Sequence, residues 1–367
     1  MLKERKIDFL LFVVVSALIL LGTVMVYSSS SAIADSNSKF SGHAFFLKRQ
    51  LIWVALAYIA MMISACVPLD KIRRLIWPAL VFSLLLLVAV FFTEPIRGTH
   101  RWLAIAGFAL QPSELFKLML VFYLAHSLSH KGRNLDDWRF YRWPYGPVIA
   151  LGAVLIALEP DLGIVLVLVT TAILVLYLAG ARVTHLIMAI GGSSLAVYVM
   201  VFIVGYKRSR VDDYLASLAD PMAAPHQVKQ AILSLACGGM FGVGLGDGVF
   251  KQFFLPEPHT DFIFASIGEE LGLAGLTVAL LLLLGLIWRG IRIATAQTDR
   301  FRFLLASGLT ICLGVNIIIN IAVVLGMIPT TGLTLPFLSY GGSSLIMSSA
   351  AVGVLLNLSR GRAGAAV

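Results

Sequence analysis

The chain has 367 residues, of which 59% are hydrophobic and only 13% charged, with a mean hydropathy of +0.93. That is too little polar surface to cover a water-soluble globule of this length, so lipid must be the solvent for most of it. The formal net charge of +9 comes without a basic stripe interleaved with aromatics, which argues against a nucleic-acid partner. The three cysteines (Cys66, Cys237, Cys312) are scattered and form neither a disulfide framework nor a CxxC metal pattern.

A membrane-spanning helix needs about 20 mostly apolar residues, because its backbone polar groups must be satisfied internally. Ten such runs occur, near 8–28, 48–67, 74–93, 113–129, 144–158, 162–180, 184–205, 262–289, 303–327 and 341–358. The first exceeds a signal-peptide core and lacks a small-residue cleavage pattern, so it reads as a retained helix. A cytoplasmic N-terminus puts most of the 28 Lys and Arg inside, among them Lys3, Arg5, Lys6, Arg73, Arg74 and Arg289. Both termini are then expected in the cytoplasm. The fold class is an all-α polytopic membrane protein, one transmembrane domain over 1–367, with a large extracytoplasmic loop at 206–260 between helices 7 and 8. A loop this long among short ones is usually functional.

Ionisable groups at the ends of apolar helices are the candidate site, because such groups are costly at membrane depth. After the third helix come Arg101 and Trp102; Trp102 alone reads equally as an interface aromatic. In Gln111-Pro112-Ser113-Glu114-Leu115-Phe116-Lys117, Glu114 suits a helix first turn. Lys117 there is disfavoured by the dipole and implies a bound anion or a carboxylate partner. Glu159 and Asp161 lie between helices 5 and 6. In the long loop, the run Gly238-Gly239-Met240-Phe241-Gly242-Val243-Gly244-Leu245-Gly246 suits either a phosphate cradle or, preferably, a re-entrant loop of tight turns. Leu255-Pro256-Glu257-Pro258-His259-Thr260-Asp261-Phe262 leads into helix 8, with Thr260 a plausible N-cap and Asp261 in the first turn. Asp261 either complements the helix dipole or, beside His259 and Glu257, belongs to an acidic mouth. Glu269 and Glu270 fall deeper in the same apolar span. They are expected to pair with a cation, Lys117 or Arg101, as a structural ion pair locking helices together. Finally, Gly326 to Ser344, including Ser339 and Ser343, breaks the chain between helices 9 and 10. It serves either close helix packing or a re-entrant loop lining a cavity.

Taken together, LPEPHTDFIF followed by GEELG and then PFLSYGGSSL, with RW, QPSELFK and FFLKRQLIW upstream, closely resemble the SEDS family (shape, elongation, division, sporulation). The glycine run and GLTLPFLSYGGSS look more like the cell-division branch, FtsW and its sporulation relatives, with RodA the alternative branch. Ile164, His100 and His226 depart from the residues usual at their positions. The resemblance implies the ten-helix SEDS fold and a peptidoglycan glycosyltransferase that polymerises lipid II for septal wall synthesis in the bacterial inner membrane, releasing undecaprenyl pyrophosphate. It implies a class B penicillin-binding protein as partner, with other divisome proteins and membrane lipid. By motif, Asp261 matches the essential acid, Arg101 and Trp102 the RW pair, Glu114 the QPSE acid and Glu269 the acid of GEE. Asp261 is assigned as the catalytic base. Arg101, Trp102, Glu114, Lys117, His259, Glu257, Ser339 and Ser343 are assigned to substrate binding, with Mg²⁺ or Mn²⁺ as a candidate cation and no organic cofactor. A lipid II flippase and a non-catalytic scaffold recruiting a wall synthase are the alternatives.

Overall fold

The computed structural model describes residues 7–36, 45–95, 99–105, 108–130, 145–220, 224–250 and 258–360. Twelve helices follow in order: α1 (Phe9–Ser36), α2 (Phe45–Cys66), α3 (Leu69–Ala89), α4 (Pro112–Leu128), α5 (Gly146–Leu158), α6 (Leu162–Leu178), α7 (Val183–Tyr198), α8 (Arg208–Ala219), α9 (His226–Cys237), α10 (Ile263–Thr295), α11 (Arg300–Val324) and α12 (Gly342–Ser359). The ten expected spans correspond to α1–α7 and α10–α12. Seven elements are long and apolar enough to cross a bilayer, while α4, α5 and α6 are shorter, at 17, 13 and 17 residues. The long loop is not irregular throughout, since α8 and α9 lie in it. A small antiparallel hairpin, β1 (Leu103–Ile105) and β2 (Phe108–Leu110), pairs Leu103 with Leu110 between α3 and α4. No periodicity in the sequence had singled it out.

The bundle is centred on α11 and α12, whose most apolar stretches are 72% and 78% buried, against 11% for α7 at the periphery. Close approach is set by glycine. A Cβ on Gly342 would fall 2.1 Å from the Trp53 ring, and one on Gly353 would fall 2.2 Å from the Met61 carbonyl oxygen, so α12 lies flush against α2. The two ends of the chain meet at one end of the bundle. There the Asp8 amide donates to Ser359 Oγ at 3.0 Å, Asp8 Oδ1 caps Leu11, and the Arg289 guanidinium clasps the Asp8 carboxylate, tying α1, α10 and α12 together.

At the opposite end α10 is broken at Gly272, whose φ of 66° and ψ of −163° only glycine adopts readily. A break inside a bundle strands four backbone groups, and the glycine run satisfies all of them. The Leu273 and Ala274 amides, which would have bonded to the Glu269 and Glu270 carbonyls, donate to the Gly239 and Met240 carbonyls at 2.9 and 3.0 Å. The Glu269 and Glu270 carbonyls accept instead from the Val243 and Gly244 amides at 3.0 and 3.1 Å. The Gly242, Val243, Gly244 and Gly246 amides are therefore spent on protein acceptors, which favours the re-entrant loop over the phosphate cradle. A Cβ on Gly272 would lie 2.3 Å from the Gly242 nitrogen. Gly272→Ala should accordingly destabilise the fold by at least about 1–3 kcal/mol, read as a lowered melting temperature of the detergent-purified chain; unchanged melting would refute the exchange of backbone bonds described above.

Candidate functional site

Asp261 sits in the turn before α10 rather than in its first turn. The N-cap is Phe262, and no side chain caps the helix, so Thr260 does not play that part. Two apolar residues in a row, Phe262 and Ile263, are drawn into the core at 3% and 0% exposure and start the helix two residues later than the polar pattern suggested. Asp261 itself stays partly exposed, between the buried His259 and Phe262. Its main chain is fixed by Asn320, whose Nδ2 donates to the Asp261 carbonyl at 3.0 Å and the Leu333 carbonyl at 2.6 Å. Ser339 Oγ donates to the Thr260 carbonyl at 2.6 Å and accepts from the Leu335 amide at 2.8 Å, and the Tyr340 amide donates to the His259 carbonyl at 2.8 Å. His259 is buried, its ring packed against Phe46 and Tyr340 at centroid distances of 4.9 and 5.6 Å.

Asn320 lies on α11 and Phe46 on α2; the other partners, Ser339, Tyr340, Leu333 and Leu335, belong to the segment between α11 and α12. It enters the bundle, burying Leu333, Leu335, Phe337 and Leu338, and packs so tightly on α1 that a Cβ on Gly22 would lie 2.4 Å from the Phe337 carbonyl oxygen. Gly332, with φ of 81°, faces the acid: a Cβ there would lie 3.7 Å from Asp261 Oδ2. The hydroxyls of Ser339 and Ser343 are both committed to backbone. Ser343 Oγ accepts from the Gln111 amide at 2.9 Å and donates to the Ala109 carbonyl at 3.2 Å, which fixes the hairpin to α12. Asn320 was missed at first; the available signal was a pair of amides, Asn316 and Asn320, one turn apart in an apolar span.

A second group forms at the α5–α6 turn. Arg101 Nε donates to the Glu159 carbonyl at 2.6 Å, its Nη2 reaches the Pro160 carbonyl, and its Nη1 lies 3.5 Å from Asp161 Oδ2. Asp161 caps α6 through the Ile164 amide at 3.2 Å and accepts from Gln111 Nε2 at 3.1 Å. Trp102 is partly exposed beside Arg101 at the start of the hairpin. Glu159 is fully buried, and neither of its carboxylate oxygens has a hydrogen-bond partner. Burial, and secondarily the Asp161 charge, push its carboxyl from the ordinary 4.5 up to about 8, with Arg101 opposing. This group adjoins the acid's own segment, because a Cβ on Gly163 of α6 would lie 3.0 Å from Thr331.

The remaining carboxylates are arranged differently from expectation. Lys117 Nζ bonds Glu114 Oε2 at 2.8 Å within α4, and both are buried, so the partner required by Lys117 is a carboxylate one turn back on its own helix. Glu269 and Glu270 pair with neither Lys117 nor Arg101. Glu269 Oε1 accepts from the Val249 and Phe250 amides at 2.5 and 3.0 Å, and its Oε2 from Ser234 Oγ at 3.1 Å. Glu270 Oε2 accepts from Ser28 Oγ at 2.5 Å and the Gly246 amide at 3.1 Å. The cause is the break at Gly272, which brings amide-rich loop to the carboxylates, and two or three such donors stabilise a buried anion as a cation would. Glu257 lies outside the described residues. Among the described residues, no three His, Cys, Asp or Glu side chains gather as a metal set.

Two outcomes are expected. Glu114→Gln should cost about 3–5 kcal/mol by leaving the Lys117 ammonium buried without its anion, while adding Lys117→Met should recover much of that loss; equal melting of the single and double variants would contradict it. Because the folded Glu159 carboxyl holds its proton up to about 8 while the unfolded one releases it near 4.5, folding stability should fall as pH rises across that interval. Glu159→Gln should then melt above the wild type at pH 8 and converge with it near pH 4.5; a pH-independent difference would contradict the burial of an ionisable group there.

Comparison with known proteins gives a consistent picture. A family model spanning FtsW, RodA and SpoVE, described as a cell cycle protein, matches residues 8–363. Stage V sporulation protein E of Bacillus subtilis is 40% identical over 364 residues, covering 98% of each chain. The probable peptidoglycan glycosyltransferase FtsW of Geobacter metallireducens is 40% identical over 365 residues, covering 98% of this chain and 96% of that one. Among solved structures, one chain of a peptidoglycan synthase complex that coordinates polymerization and crosslinking superposes with a TM-score of 0.79 at 29% identity, covering 98% of this chain and 99% of that one. The rod shape determining protein RodA of Thermus thermophilus superposes at 0.70 with 27% identity, over 97% and 98%. This chain, a multi-pass membrane protein, therefore belongs to the FtsW/RodA/SpoVE family, the SEDS family that its motifs resembled.

Proposed function

We propose that this protein is a peptidoglycan glycosyltransferase of the FtsW branch that polymerises lipid II on the outer face of the bacterial cytoplasmic membrane. The observation that carries the reading is Asp261, a partly exposed carboxylate whose backbone carbonyl is pinned by the buried Asn320. The FtsW relatives that match along nearly the whole chain are named as such enzymes, which supports the same chemistry here.

In this reaction the 4-hydroxyl of an acceptor glucosamine attacks the anomeric carbon of a donor muramic sugar. The new C1–O4 bond forms as the C1–O bond to pyrophosphate breaks, inverting an α donor to a β link, and undecaprenyl pyrophosphate departs. One base suffices, because pyrophosphate leaves as an anion that needs charge neutralisation more than a proton. Asp261 takes the hydroxyl proton, and Arg101, rigidly held by the α5–α6 turn, stabilises the leaving charge. Lys117, neutralised by Glu114, orders the floor of the site. A divalent cation, Mg²⁺ or Mn²⁺, would add further neutralisation at the pyrophosphate. With no preformed three-ligand cage among the described residues, those residues fit a cation held chiefly by substrate phosphates and a single carboxylate.

The partner proposed is a class B penicillin-binding protein that cross-links the new strands, within the division machinery. Support comes from the fold shared with a chain of a complex that couples polymerization to crosslinking. We place both termini in the cytoplasm; Asp8 and Ser359, near the two ends of the described residues, meet at one end of the bundle. The test is glycan-chain formation from lipid II by the purified chain with its cognate penicillin-binding protein. Asp261→Asn should abolish polymer while leaving folding and lipid binding intact. Near-normal chain growth by that variant would remove Asp261 from the centre of the reaction, and no polymer from a folded, partner-bound wild type would move the reading to a transporter or scaffold.

A further inference from the structure

Lys117 is already neutralised in the bundle, so the charge of a departing pyrophosphate calls for cations nearer Asp261. Two lie at the start of α8. Lys207 Nζ donates to the Pro160 carbonyl at 2.6 Å, the same oxygen that the Arg101 guanidinium reaches. Two cations converging on one neutral oxygen repel each other, an arrangement that an anion between or above them would relieve. Arg210, exposed, adds a third: its Nη1 donates to the Thr330 carbonyl at 3.0 Å, and its other guanidinium N–H groups have no partner among the described residues. Thr330 is two residues from Gly332, which faces Asp261 Oδ2, so this cation is anchored to the segment that borders the acid.

The negative charge facing the three cations is small. Asp161 lies against Arg101, Asp212 is engaged by Arg208 at 3.4 Å, and Glu159 beside them holds its proton near neutrality. Burial, followed by repulsion from Arg210 and Arg101, brings the Lys207 ammonium down to about 8. The cations therefore destabilise one another as the site stands. Lys207 is also held at φ of 48°, an uncommon conformation for a side-chain-bearing residue, and it starts α8, whose Tyr214 hydroxyl bonds the Met327 carbonyl at 2.7 Å. The loop helix is thereby fixed over the site.

We propose that Lys207 and Arg210, together with Arg101, form an anion site that takes the pyrophosphate of the lipid-linked donor and of the released product beside Asp261. The proposal rests on the glycosyltransferase reading for its substrate, and neither Lys207 nor Arg210 was singled out by sequence motif.

Binding of undecaprenyl pyrophosphate to the full chain in nanodiscs tests it, with inorganic pyrophosphate and phosphatidylglycerol as competitors. Lys207→Gln with Arg210→Gln should weaken binding by about tenfold or more, the loss expected on removing charge-assisted hydrogen bonds to phosphate. Lys207→Arg should retain wild-type affinity, and inorganic pyrophosphate should compete. Undiminished binding by a double variant that melts like the wild type, or equal displacement by phosphatidylglycerol, would overturn the site. Should the double variant not fold, Arg210→Gln alone, at an exposed position, must still weaken binding, and unchanged affinity there overturns the proposal equally. A wild type that binds the pyrophosphate lipid through Lys207 and Arg210 yet makes no polymer would sink the glycosyltransferase reading and leave the site standing. Polymerisation with binding indifferent to both residues would sink the site alone.

Discussion

Every backbone amide and carbonyl that leaves a helix inside an apolar bundle has to find another protein partner, and two departures from helix organise this molecule. One is the break at Gly272, where the glycine run exchanges hydrogen bonds one for one with the severed turn of α10. The other is the segment between α11 and α12, whose carbonyls and amides are met by Asn320, Ser339, Tyr214 and Arg210. An unsatisfied group in such surroundings costs several kcal/mol. The polar side chains that meet these groups are therefore structural requirements, and they hold Asp261 where a substrate can reach it.

The same accounting governs charge. Asp8 meets Arg289 at the end where the chain begins and finishes, Glu114 meets Lys117 in mid-bundle, and Asp161 meets Arg101 at the opposite end. Glu269 and Glu270 are stabilised by amides and hydroxyls, at a point where the break supplies donors that an intact helix would have kept for itself. Glu159 has neither a cation nor donors on its carboxylate and instead keeps its proton. These arrangements answer one constraint, that an isolated charge is not tolerated away from water.

A transfer that needs one base and a neutralised leaving group suits such an architecture. Asp261, the proposed base, sits in the turn before α10, which Ser339 and Asn320 anchor. The cations approach from the α5–α6 turn and the start of α8. The rigid bundle keeps the two sets apart along a single buried loop, which fixes their spacing without a direct contact between acid and arginine.

The ten apolar runs, the basic bias of the loops on one side and the order of the HTDF, GEELG and PFLSYGGSS motifs are local properties of the chain. Hydropathy and motif chemistry were therefore enough to fix the spans and the family, and to nominate Asp261 as the candidate acid. Pairing depends on which helices become neighbours, and that information is spread over the whole chain. The sequence could show that Lys117 needed a carboxylate, and Glu114, one turn back on the same helix, was a local candidate that the fold confirmed over the more distant Glu269 and Glu270. It could show that Glu269 and Glu270 needed compensation, but only the break at Gly272 brought the amides of Val249, Phe250 and Gly246 to them. Lys207 and Arg210 counted merely as loop charges until the fold set them beside Pro160 and Thr330, residues 47 and 120 positions away. Burial in a medium without water determines what each polar group must find, and the tertiary structure alone decides where it is found.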